Sequence, residues 1–253
     1  MFIRAFTLTF LAVLGILGAT SSARAQQELV ADLSDHLVAI TTGFTGADVL
    51  LFGAIEGEGE IVVVVTGPRD RVTVRRKDRV IGVWANVDSM TFENVPAFYA
   101  VATTKPLGEV APEDVRARQE IGVENINMRP VGVDAAVPPS QIDTFRSALI
   151  RNKTRQRLYG AEVQPITVLS DRLFRSRVHF PTNVTTGIYT VSVYYIRDGS
   201  PVHAQTTPLQ ISKVGIGADV FLFAHTNSAA YGLIAIAIAV AAGWLAAAIF
   251  RKV

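Results

Sequence analysis

Residues 229–250 (AAYGLIAIAIAVAAGWLAAAIF) form an uncharged apolar run that ends on the basic pair Arg251-Lys252. At ~1.5 Å of rise per residue such a run spans ~33 Å as a helix, enough to cross the hydrocarbon core of a bilayer. A chain with that tail must place everything before it on one side of a membrane. The other end points to which side. Arg4, an apolar stretch from Phe6 to Ala19 and the small-residue signature Ala23-Arg24-Ala25 have the layout of a secretory signal peptide cut after Ala25. Arg251 and Lys252 directly follow the span, whereas no Lys or Arg lies between Lys213 and its start, so the positive-inside rule puts the C-terminus in the cytoplasm. The expected organisation is a signal peptide (1–25), an exported body, a juxtamembrane segment (215–228), a transmembrane helix (229–250) and a cytoplasmic tail (251–253).

Charge then limits the partners of the exported body. Of the 24 Lys and Arg, Arg4, Arg24, Arg251 and Lys252 lie outside residues 26–228, which leaves 20 against 22 Asp and Glu. A slightly acidic, exported body does not bind nucleic acid through a general positive field. The chain has no cysteine, so its fold rests on its core and not on disulfides, and thiolate chemistry of every kind is excluded.

Within the body, residues 26–108 read as β structure. His36, Val38 and Ile40 alternate, Val49 to Ile55 follows, and Glu56-Gly57-Glu58-Gly59-Glu60 resembles a hairpin tip before the continuous run Ile61 to Val65, a strand buried on both faces. Arg71 to Arg75 alternates, Val80 to Val87 reads as one strand carrying Trp84, and Phe98 to Thr103 follows Pro96. About seven strands at this spacing predict an immunoglobulin-like antiparallel sandwich without its cysteine pair. Residues 109–160 change period and form a helical connector. Pro112, Glu113 and Asp114 open one helix, Ser140 is placed to cap a second carrying Ile142, Phe145 and Leu149, and Gly160 stops it. Residues 161–214 return to β as a second, smaller unit. Arg172 to Phe180 alternates, and Gly187 to Arg197 turns at Asp198-Gly199 into Val202 to Ile211. The fold class expected is therefore mainly β with a helical insertion and one C-terminal transmembrane helix. Gly46 to Phe52 and Gly217 to Phe223 are nearly identical, but the similarity dies on both sides and is no repeat.

The stretches LFGAIEGEGEIVVVVTGP (51–68), VWANVDSMTFENVPAFYAVATTKPL (83–107), FRSALIRNKTRQRLYG (145–160), FPTNVTTGIYTVSVYYIRDG (180–199) and YGLIAIAIAVAAGW (231–244) together resemble the "putative transmembrane protein" family described from alphaproteobacteria. That resemblance covers nearly all of the mature chain. It implies a bacterial protein of this topology and, through an association with permeases of the sulfite-exporter type, an accessory role. It brings no catalytic residues.

No GxSxG elbow, SxxK motif, HExxH pair or glycine-rich phosphate loop is present, and no cofactor or metal is expected. Asp32, Asp35 and His36 are the nearest approach to a metal cluster and read more simply as a solvated turn. Glu56, Glu58 and Glu60 lack the ligand order of a calcium loop. Two basic stretches, 69–79 and 146–157, are solvated faces or sites for an anion or lipid headgroup, with Arg75, Arg76, Arg151 and Arg155 as the contacts. Trp84 with Phe98 and Tyr99 is either an exposed platform or core. In the span, Ala235, Ala239, Gly243 and Ala247 make a ridge of small side chains at four-residue spacing, which fits a helix packing against a membrane-protein partner as well as lipid.

The sequence thus predicts a non-enzymatic, membrane-anchored periplasmic accessory or binding subunit of a bacterial inner-membrane complex, with a small-oxyanion permease as the implied partner. The alternative is a periplasmic enzyme or metal-handling protein with a site assembled from distant residues.

Overall fold

Ile61-Val62-Val63-Val64-Val65 is apolar at every position, and a strand so composed is satisfied only where both its faces are covered. In the computed structural model, which describes residues 28–132 and 137–250, this strand lies between two cores: Ile61, Val63 and Val65 face one, Val62 and Val64 the other. The segment expected to be a signal peptide, residues 1–25, and the residues after Phe250 lie outside the described residues.

In chain order the elements are β1 (Leu29–Leu33), β2 (Leu37–Ile40), β3 (Ala47–Ile55), β4 (Glu60–Thr66), β5 (Arg69–Val80), β6 (Val83–Pro96) and β7 (Tyr99–Thr103). Then come α1 (Leu107–Val110), α2 (Glu113–Arg118), β8 (Arg129–Val131) and α3 (Pro139–Arg155). The chain continues through β9 (Gln164–Pro165), β10 (Thr167–Leu169), β11 (Leu173–Phe180), β12 (Gly187–Arg197) and β13 (Ser200–Lys213) to α4 (Ile216–Thr226) and α5 (Ser228–Phe250). The expected mainly β class, the helical insertion and the C-terminal apolar helix are all present.

Three layers result. The outer sheet has the order β1-β3-β11-β10, and the central sheet β2-β13-β12-β4-β7-β9. Their facing side chains, among them Leu51, Phe174, Val178 and Phe180 against Val63, Tyr189, Val191 and Tyr195, form the first core. The third layer, β5-β6-β8 with α1 to α3, covers the other face of the central sheet through Phe92, Met90, Ile121, Met128, Phe145 and Leu149. The β stretches on either side of the helical region share both sheets of the sandwich: β11 pairs with β3 from Leu173↔Ala54 to Phe180↔Ala47, and β12 with β4 from Thr190↔Thr66 to Ile196↔Glu60.

Several local expectations are corrected. Glu56 to Glu60 is not a hairpin tip but a crossover: β3 belongs to the outer sheet and β4 to the central one. Tyr195 Oη donates to the Glu56 carbonyl at 3.1 Å and fixes this corner. Ser140 does not cap α3; Pro138 takes the N-cap and Pro139 the first helical position, where a missing N–H costs nothing. Gly160 does not end that helix either. Arg157 adopts φ 59°, and Leu158 N donates to Lys153 O at 3.0 Å while Arg157 N donates to Thr154 O at 2.9 Å, which is a Schellman closure with arginine where glycine is usual. Val80 to Val87 is interrupted by a two-residue turn at Ile81-Gly82 that joins β5 to β6. The near-identical heptapeptides take opposite forms, strand at residues 47–52 and helix at 217–223, so tertiary context decides between them.

Candidate functional site

Strand β11 alternates cleanly: Phe174, Ser176 and Val178 point into the first core, and Arg175, Arg177 and His179 point out. Towards its Phe180 end, Arg177 to His179 border a cavity. A cleft of about 220 Å³ opens there, floored by Val63, Val65, Phe98, Ala100 and Val178, with Arg157, Gln164, Arg177 and His179 at its mouth. His179 faces Asp48 across the β3–β11 ladder, Nδ1 to Oδ1 2.6 Å. Arg157 and His179 also border an adjoining depression of about 300 Å³ with Arg155, Gln156, Thr182 and Asn183. An apolar floor under a cationic rim suits a small anion bearing a short apolar group, because guanidinium groups pair with oxyanions while the floor excludes water.

The four arginines expected as anion contacts are not one cluster. Arg155 borders the adjoining depression together with Arg157; Arg151 is exposed, with no hydrogen-bond or ion-pair partner among the described residues. Arg75 lines a separate groove with Asn152 and Lys153 of α3 and with Gln156, which caps that helix. Arg76 faces Asp88 at 3.7 Å. Lys153 leans over the Tyr159 ring at 6.0 Å, and burial pushes its ammonium below the usual lysine range although Asp70 opposes the shift. Arg177 and His179 were not singled out by sequence. Their signal was the alternation of Arg172 to Phe180, which puts them on an outer face but says nothing of Arg157 meeting them there.

The other candidates separate as well. His36 pairs with Asp32 at 3.1 Å, while Asp35 accepts from the Ser34 hydroxyl at 2.9 Å. Glu60 accepts from Thr104 and pairs with Lys105 at 2.6 Å. Burial works to raise the Glu60 carboxyl, but the Lys105 and Thr104 hydrogen bonds outweigh it and hold it below the usual range. Trp84 is exposed on β6 next to the β5–β6 turn, whereas Phe98 and Tyr99 are buried in opposite cores, so the three form no platform. Tyr99 Oη donates to Glu120 O at 2.6 Å and accepts from Gly122 N at 2.9 Å, a structural tie. Ala235, Ala239, Gly243 and Ala247 all lie exposed along α5, and a Cβ added at Gly243 meets nothing within 4 Å.

Arg157 holds a left-handed conformation that costs a non-glycine residue on the order of 1 kcal/mol, and it does so at the cleft mouth. Arg157→Gly is expected to hold or raise stability, by up to about 1 kcal/mol in urea denaturation. The same change is expected to weaken binding of a short carboxylate such as hexanoate by about tenfold, the worth of one charge-assisted hydrogen bond.

Residues 28–252 match a family model described as "Putative transmembrane protein (Alph_Pro_TM)". No curated protein matches the chain.

Proposed function

This chain belongs to the family of that description, and we propose that it is a non-enzymatic accessory or binding subunit of a bacterial inner-membrane complex. Its β body lies in the periplasm after removal of residues 1–25, and its C-terminus lies in the cytoplasm. The observation that carries this reading is α5: an apolar helix with a mean hydropathy of 2.0 over Ser228–Ala247, none of it buried against the body. Such a surface is covered by lipid or by another membrane helix. The small-residue ridge favours a helix, since close backbone approach supplies the association that the hydrophobic effect cannot supply in lipid.

The body supports a binding role. The order β1-β3-β11-β10 over β13-β12-β4 supports an immunoglobulin-like reading of the body, in which the two sheets take the places of ABED and GFC. Tyr189, near the start of β12, donates its hydroxyl to Thr185 O at 2.7 Å, as the conserved tyrosine corner of that fold does. Burial pushes the Tyr189 phenol up to about 12, consistent with a permanently protonated donor. The cleft rimmed by Arg157, Arg177 and His179, with Arg155 at the adjoining depression, then serves capture of a small oxyanion for a permease.

Gly243→Leu tests the partnership. The variant has room within its own chain and is expected to insert normally but to lose, on purification in mild detergent, a stoichiometric multispanning partner that the unaltered protein retains. Identical co-purification of both forms, or a monomer in both, would overturn the role assigned to the ridge.

A further inference from the structure

The arm formed by β5 and β6 outruns the core. Val74 and Met90 are its last buried pair, and the seven residues from Arg75 to Ile81 carry the tip about 20 Å beyond them. A free arm ending in water should close on Asn-Gly or Asp-Gly, because both residues of such a turn need φ > 0. This one closes on Ile81-Gly82, with φ 50° and 82°. A β-branched residue in that region is an outlier, and Ile81 is 99% exposed. Val80, Val83 and Trp84 are also exposed around it. Solubility and turn chemistry both argue against this tip, so its composition answers to something it touches.

The flanks indicate what. Strand alternation puts Arg75, Lys77 and Arg79 on one face of the arm, with Trp84 paired beside Arg79, and none of the three cations has an ion-pair partner among the described residues. Two acids are near: Asp88 is opposed to Arg76, and Asp78 accepts from the Arg79 backbone N–H at 2.7 Å. An apolar tip with an indole at its shoulder and free cations behind it matches the layers of an anionic bilayer surface in order: acyl boundary, interface, phosphate. The body is also held near such a surface. Only residues 214–227, eleven of them in α4 with a length of ~16 Å, separate the end of β13 from the apolar helix α5.

We propose that the β5–β6 tip is a second membrane contact, with Ile81 and Trp84 entering the headgroup–acyl boundary and Arg75, Lys77 and Arg79 engaging lipid phosphates. The contact rests on the anchoring of α5 and fixes how the body stands over the bilayer.

The test uses the full chain with Trp244→Phe, which leaves Trp84 as the sole indole of the two in the sequence. It is reconstituted into phosphatidylcholine vesicles with or without phosphatidylglycerol, doped with phospholipid brominated high on the acyl chain. The expected result is co-flotation in both, with a blue-shifted Trp84 emission quenched by bromine and more strongly with phosphatidylglycerol. Ile81→Asn, which suits the turn, should lose the quenching while its melting temperature stays the same or rises. The triple change Arg75→Glu, Lys77→Glu, Arg79→Glu should abolish the dependence on phosphatidylglycerol. Flotation with Trp84 quenched by aqueous iodide and untouched by bromine would overturn the contact and leave the anchor standing. Shielding of Trp84 from both quenchers by a co-purifying protein would overturn it in favour of a protein partner. Failure to float would overturn the anchor and the contact with it.

Discussion

Gly53→Ala is expected to cost about 3 kcal/mol or more, a large share of the ~5–15 kcal/mol that holds a domain of ordinary stability together. Gly53 lies in β3, opposite Ala31 of β1 on one side and Phe174 of β11 on the other. A Cβ built there comes within 2.3 Å of the Val30 carbonyl oxygen and 2.5 Å of the Phe174 ring. The carbonyl belongs to a paired strand, so relief requires moving backbone as well as a side chain. Phe174 is 1% exposed and has little room to turn away. Urea unfolding of the detergent-solubilised protein measures the loss. A cost below about 1 kcal/mol would mean that β1, β3 and β11 are not packed in this order.

Phe92→Ala is expected to cost about 4 kcal/mol through the second core. Phe92 is fully buried on β6, among Val62 and Val64 of the central strand and the residues that α3 contributes. The informative part is the shape of the transition. Because β4 belongs to both cores, loss of the third layer uncovers Val62 and Val64, and the sandwich and the layer on it should unfold together in one shifted transition. A separate early transition for the β5–β6 and α3 layer would show it to be an appendage.

These two residues also mark what the sequence could and could not express. The β class, the two-faced burial of Ile61 to Val65 and the Asp198-Gly199 turn, which takes φ 51° and 73°, are properties of neighbouring residues. Periodicity and turn chemistry carry them. The partnership of β3 with β11 joins residues more than 100 positions apart, and no local pattern encodes it. A glycine-rich turn such as Glu56 to Glu60 serves a hairpin and a sheet-to-sheet crossover alike, so the route of the chain at that corner was illegible. Arg157 reads as one more cation of α3 until the Schellman closure turns it off the helix and towards Arg177 and His179. The Ile81-Gly82 turn was hidden for the opposite reason. Its first residue violates the rule by which turns are recognised, and that violation is what makes the arm's tip informative.

In the proposed topology, one C-terminal helix holds a β body on the outer side of a bacterial inner membrane. The chain's lack of cysteine makes that topology directly measurable. Ser200→Cys stands at the exposed β12–β13 turn, and Val253→Cys stands beyond the span. In spheroplasts treated with a membrane-impermeant maleimide, the cysteine at 200 should be labelled before lysis, the cysteine at 253 only after it, and both proteins should stay in the membrane fraction at alkaline pH. Labelling in the reverse order, or release by alkali, would contradict that topology.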